Sequence, residues 1–164
     1  MERFAADAAS SGVDGVIIVD CPPEEADPVL AAFDPVGLAL IRLATPTTDA
    51  ARLPTVVRRT AGFVYYVSVA GVTGVKAADA SAIAGAVEKV RKASGLPVAV
   101  GFGIRTPAQA SAVARIADAA VVGSALVDAV AEGLAQKRDP VAKVLETARH
   151  LAMAVRSARA TETT

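Results

Sequence analysis

The stretch Leu96–Val127, LPVAVGFGIRTPAQASAVARIADAAVVGSALV, constrains the fold more than any other part of the chain. Two short apolar runs, Pro97–Val100 and Ala119–Val122, each stop at glycine, the first at Gly101-Phe102-Gly103 and the second at Gly123-Ser124. Uninterrupted apolar runs of this kind predict strands buried on both faces, as in a parallel sheet. Between them Thr106-Pro107-Ala108-Gln109 predicts a helix start. Thr106 can cap the free N–H groups, Pro107 suits the first helical position, and Gln109 completes a capping box. The apolar run Ala125–Val130 follows the second turn directly, so N–H groups of a helix start point outward there. A glycine after a strand is often no more than a tight turn. Two such turns at the same ends of two parallel strands gather free N–H groups, and the ligand they suit is an anion, such as a phosphate ester.

The rest of the chain repeats the strand–helix alternation. Glu2–Ser10 has helical spacing, with Phe4, Ala5, Ala8 and Ala9 on one face and Gly12 placed to end it. Gly15–Val19 predicts a strand covered on both faces, with Asp20 at its C-terminal end and Cys21-Pro22-Pro23-Glu24-Glu25 after it. Asp27 is the expected cap of a second helix that has Pro28 first and runs to Phe33. Leu38–Leu43 predicts the next strand, interrupted by the charge of Arg42. Thr47 or Thr48 caps a third helix reaching Arg59, and Pro54 kinks it or delays its start. Phe63–Val67 is a strand, Ser68–Gly74 a glycine-bearing loop, and Ala80–Lys92 an amphipathic helix with Ile83, Val87 and Val90 on one side. Asp139-Pro140 starts a last helix to about Arg159. We therefore expect one domain over residues 1–159 and a disordered polar tail over 160–164.

Composition excludes several functions. Hydrophobic residues are 53% and charged residues 21% of the 164, which marks a globular chain. Seventeen basic and seventeen acidic residues leave no basic stripe, and 4% aromatics without Trp supply no stacking platform, so nucleic acid is not an expected partner. Cys21 is the single cysteine, which rules out an internal disulfide and a multi-cysteine metal site. His150, in the last helical segment beside Arg149, reads as a surface residue. No apolar run approaches the ~18 residues of a membrane helix, and MERFAADAAS does not read as a signal peptide. A cytoplasmic protein is expected.

Five apolar strands separated by helices fit an open doubly wound sheet or part of a β/α barrel. No GxGxxG with an acidic residue about twenty positions on supports a dinucleotide fold. In a barrel, a phosphate commonly lies between the last two loops after strands, which is where the anion site falls. The expected fold is α/β, a partial (β/α)8 TIM barrel with parallel strands alternating with helices.

The segment Tyr65–Gly74, YYVSVAGVTG, resembles the tryptophan synthase alpha subunit family. Three further stretches resemble that family in the same order: Gly12–Gly15 through Asp20-Cys21-Pro22-Pro23-Glu24-Glu25, Val98–Ile104 with GFGI, and Val121–Leu126 with VVGSAL. The resemblance covers the whole chain and implies strands four to eight of an eight-stranded barrel, with the first three strands missing. It implies a lyase that cleaves indole-3-glycerol phosphate to indole and glyceraldehyde 3-phosphate by a reverse aldol reaction. It also implies that the catalytic Glu and Asp precede Met1, so this chain alone is expected to be inactive. By the same resemblance Gly74, Gly103, Gly123 and Ser124 hold the phosphate. Tyr65 lies in the substrate pocket, Gly101 and Phe102 line its wall, Thr73 orients the catalytic aspartate, and Ile17 and Val19 lie beside the indole ring. Asp20 reads as fixing its loop, although a strand end keeps it a candidate acid. The Pro22–Glu25 loop resembles part of the surface that docks on a β subunit. Pyridoxal phosphate belongs to that partner, so no cofactor is expected on this chain. The alternatives are a non-catalytic half-barrel that binds phosphate and a module that only docks on the β subunit.

Overall fold

The computed structural model describes residues 1–68, 77–101 and 103–160, with side chains at all of these except 77–81 and 159–160. Its elements alternate: α1 (Glu2–Ser10), β1 (Gly15–Ile17), α2 (Asp27–Phe33), β2 (Ala39–Ala44), α3 (Leu53–Val57), β3 (Val64–Val67), α4 (Ala77–Ser94), β4 (Val98–Gly101), α5 (Pro107–Ala114), β5 (Ala119–Val121), α6 (Ser124–Ala135) and α7 (Pro140–Ala160). Single 3₁₀ turns, Pro23–Glu25 and Asp34–Val36, flank α2. The strands neighbour one another in the order β1-β2-β3-β4-β5. The β1–β2, β2–β3 and β4–β5 pairs are parallel. A doubly wound sheet reverses its order at a switch point; this one does not, which decides between the two architectures. The fold class is α/β, a partial (β/α)8 barrel of parallel strands alternating with helices.

The chain divides into two compact units. In the first, residues 1–67 with 88–98, an apolar cluster gathers Ala5 of α1, Leu30 and Phe33 of α2, Leu38 just before β2 and Leu40 within it. The rings of Phe4 and Phe33 stack with centroids 6.2 Å apart. Burying side chains of this size stabilises by about 1.5–3 kcal/mol each. The Val64 amide donates to the Pro97 carbonyl at 2.9 Å. In the second unit, residues 68–87 with 99–164, α7 packs against α5 and α6. Gly133 of α6 allows that approach, since a Cβ there would stand 2.8 Å from the Pro140 Cα.

Several elements differ from the sequence expectation. β1 ends at Ile17, and the expectation that it is covered on both faces fails: Ile17 is 39% and Val19 80% exposed. β5 is likewise open, with Val121 37% exposed. The physical reason is position: β1 and β5 are first and last in the strand order, whereas all four residues of β4 are buried. Asp27 is not the cap of α2; it lies in the first turn, and Ala26 holds the cap position without a side-chain bond. The Asp27 carboxylate instead pairs with Arg59 at 3.4 Å. Pro54 delays α3 rather than kinking it, so the helix starts at Leu53, and Thr48 accepts from the Thr45 amide in the turn before it. α7 continues through Ala160, and residues 161–164 lie outside the described part. No described helix is long and apolar enough to cross a membrane.

Candidate functional site

The turn after β4 is built by the capping box expected from the sequence. The Thr106 hydroxyl accepts from the Gln109 amide at 3.3 Å, and the Gln109 side-chain oxygen accepts from the amides of Thr106 at 3.1 Å and Arg105 at 2.8 Å. These bonds hold the backbone over residues 105–109, with Ile104 buried just before it. Gly103 is exposed with φ +78°, a left-handed conformation that other residues adopt only with strain. The Gly101 carbonyl at the end of β4 accepts from both the amide and the hydroxyl of Ser68, each at 3.2 Å. Ser68 is buried, and its two bonds join it to the end of β4. Spacing alone did not single out Ser68, because its partner lies 33 residues away.

The turn after β5 leads straight into α6. The Gly123 carbonyl accepts from the amides of Leu126 at 2.9 Å and Val127 at 3.3 Å. The amides of Ser124 and Ala125 therefore precede the first bonded amide of the helix, where an anion is favoured. Gly123 has φ −116°, so backbone strain does not demand glycine there, and a Cβ would meet nothing within 4 Å. The glycine leaves open space at the head of α6. Arg105 and Asp128 form an ion pair at 2.7 Å from the β4 turn to α6. They line a polar depression of about 230 Å³ together with Ala125, Glu132, Lys143 and Thr147. No local periodicity links residues 23 positions apart, so this pair is not visible in the sequence.

In the first unit, Tyr65 is half-buried on β3, and Ile17, Val19 and Asp20 are exposed at and beyond the end of β1. The neighbouring Tyr66 is buried, and burial pushes its phenol above the ordinary value. Thr73, Gly74 and Phe102 lie outside the described residues. The loop after β1 is held twice. Arg52 donates to both carboxylate oxygens of Glu24, which lowers the pKa of Glu24 and raises that of Arg52. Arg42 of β2 is 4% exposed and donates from Nη1 to the Cys21 carbonyl at 2.9 Å. His150 is exposed on α7. Among the described residues, no group of three or more His, Cys, Asp or Glu is placed to hold a metal ion.

Residues 1–156 match the family model described as Tryptophan synthase alpha chain. The chain is 70% identical over 158 residues to the tryptophan synthase alpha chain of Caulobacter vibrioides (strain NA1000 / CB15N), covering 96% of this chain and 58% of that one. It is 68% identical over 159 residues to that of Phenylobacterium zucineum (strain HLK1), covering 97% and 57%. Among solved structures, the tryptophan synthase alpha chain from Legionella pneumophila subsp. pneumophila superposes with a TM-score of 0.82 at 37% identity, over 94% of this chain and 56% of that one. This chain thus spans somewhat more than half the length of the relatives it matches. It belongs to the tryptophan synthase alpha chain family.

Proposed function

We propose that this chain is the substrate-holding part of a tryptophan synthase α subunit, serving cleavage of indole-3-glycerol phosphate to indole and glyceraldehyde 3-phosphate in tryptophan biosynthesis. The observation that carries the reading is the family match over residues 1–156, which takes in both strand-end glycine turns. The Gly103 turn and the α6 head, with Gly123 and Ser124, bind the phosphate through backbone N–H groups and the Ser124 hydroxyl. The open space at Gly123 supports this role. Gly74 is assigned to the same phosphate. Tyr65, Thr73, Gly101, Phe102, Ile17 and Val19 are assigned to the rest of the substrate. The Pro22–Glu25 loop meets a β subunit that carries pyridoxal phosphate, and this chain takes no cofactor of its own. The cytoplasm is the compartment this role implies.

The reaction needs one group to protonate the indole ring carbon and another to accept the side-chain hydroxyl proton. The family's two carboxylates have no assigned counterpart within residues 1–164. Such groups typically contribute about 10²–10⁴-fold each, so residues 1–164 alone leave indole release at background. The test is indole release by the chain alone and with the N-terminal part of the Caulobacter vibrioides relative added in trans. We expect background in the first case and release in the second; robust release from the chain alone overturns the assignment. In parallel, glyceraldehyde 3-phosphate should shift the NMR signals of Gly103 and Ser124, and Gly123→Leu should abolish the shifts. Shifts that persist in the variant remove the phosphate cradle. Phosphate shifts without release in either arrangement favour the non-catalytic half-barrel.

A further inference from the structure

The charge that interrupts β2 has no place in the substrate reading, yet it is among the most deeply held groups in the first unit. Arg42 is 4% exposed, and among the described residues its guanidinium donates to a neutral carbonyl, that of Cys21, at 2.9 Å. Its Nε is buried and meets no acceptor among the described residues. An apolar residue at a buried strand position avoids the desolvation penalty of a cation. The bond to Cys21 is what the guanidinium gains there. The backbone on either side is also fixed: the Arg42 amide donates to the Thr60 hydroxyl at 3.2 Å, and that hydroxyl donates to the Leu40 carbonyl at 3.2 Å.

Cys21 lies within the loop between β1 and α2, and this loop has little regular structure beyond the single turn Pro23–Glu25. Pro22 and Pro23 carry no N–H, so the peptides there have few ways of bonding to the sheet. Glu24 reaches Arg52, which stands just before α3. Both fastenings of the loop therefore come from arginines of the β2–α3 segment, one buried and one exposed.

We propose that Arg42 is a positioning residue, whose buried guanidinium fastens the Cys21 peptide and so sets the direction of the Asp20–Glu25 loop. A planar guanidinium holds its donors in a fixed fork, which suits it to orient a peptide in a way an ammonium does not. The consequence for docking rests on the reading above, that this loop meets the β subunit.

Cys21 is the single cysteine and is partly buried, so thiol modification reports on this loop alone. In the full chain, Arg42→Met should raise the rate of Cys21 modification by a neutral disulfide reagent about tenfold, since a loop released from a single charged hydrogen bond opens by roughly that factor. Amide exchange should rise at Cys21, Glu25 and Ala26 and stay unchanged in β3 and α5. Arg42→Lys, which keeps a cationic donor but not the planar fork, should bring both readouts part of the way back. Unchanged thiol rate and loop exchange in a folded Arg42→Met chain overturn the proposal, as does a rise spread evenly over all strands. Should that variant not fold, the unaltered chain decides: Arg42 guanidinium protons protected from exchange support the bond to Cys21, and protons exchanging as in free arginine refute it. Binding to a purified β subunit separates the two readings. A loosened loop with unchanged binding leaves the positioning role standing and removes the docking role.

Discussion

Gly103 and Gly123 end equivalent strands, yet their backbones make different demands. Gly103 sits at φ +78°, so Gly103→Ala is expected to destabilise the chain by about 1–2 kcal/mol, measured by denaturant unfolding. Gly123 sits at φ −116° with open space beyond its Cα, so Gly123→Ala should leave stability within about 0.5 kcal/mol of the parent. Both glycines were visible in the sequence; which of them the backbone requires was not, because φ is set by where each turn is anchored. Tyr66 supplies a pH prediction. Burial raises its pKa above the ordinary 10.0, so the folded state holds the phenolic proton more tightly than the unfolded chain. That contribution is complete below pH 10.0 and is lost as pH rises through the folded value. The fall in melting temperature on the alkaline side should accordingly be shallower in Tyr66→Phe than in the parent. For the exposed Glu24–Arg52 pair the sign reverses: the lowered Glu24 pKa means that its support for the loop is present above 4.5 and is lost as pH falls through the lower folded value.

Among the elements, α5 is the one whose start was legible to the residue. Its Thr106–Gln109 box is a contact between near neighbours, so it depends on no distant partner. Thr106→Ala should destabilise by about 1 kcal/mol, read from the unfolding midpoint, and Thr106→Ser should restore most of it. The α6–α7 corner is different in kind. Gly133 lies in the last turn of α6, and its reason is the Pro140 backbone crowded against it. Gly133→Ala is expected to lower stability by about 1–3 kcal/mol even though alanine is the better helix former, as calorimetry would show. The α2 start went the other way. Asp27 looked like a cap by spacing, but its carboxylate is drawn to Arg59, a partner 32 residues on.

For the whole chain, strand order explains why β1 and β5 remain open. β1 and β5 stand at the ends of the order, and apolar side chains such as Val127 and Leu134 of α6 and Val141 and Leu145 of α7 are exposed. Unpaired strand edges and exposed apolar stripes favour association, so residues 1–164 prepared alone should self-associate at micromolar concentration in sedimentation experiments. A monomer with one sharp unfolding transition would contradict this. The amino-acid sequence by itself determined the alternation of strands and helices, the α5 cap and the glycine turns at the ends of β4 and β5. Each of these rests on periodicity or on neighbours a few residues apart. Only the tertiary structure decided which strands are covered, that the strands follow one another without reversal, and that Arg42 is buried against Cys21. Burial and strand order depend on groups brought together from distant parts of the chain, and nothing in a residue's immediate neighbours specifies them.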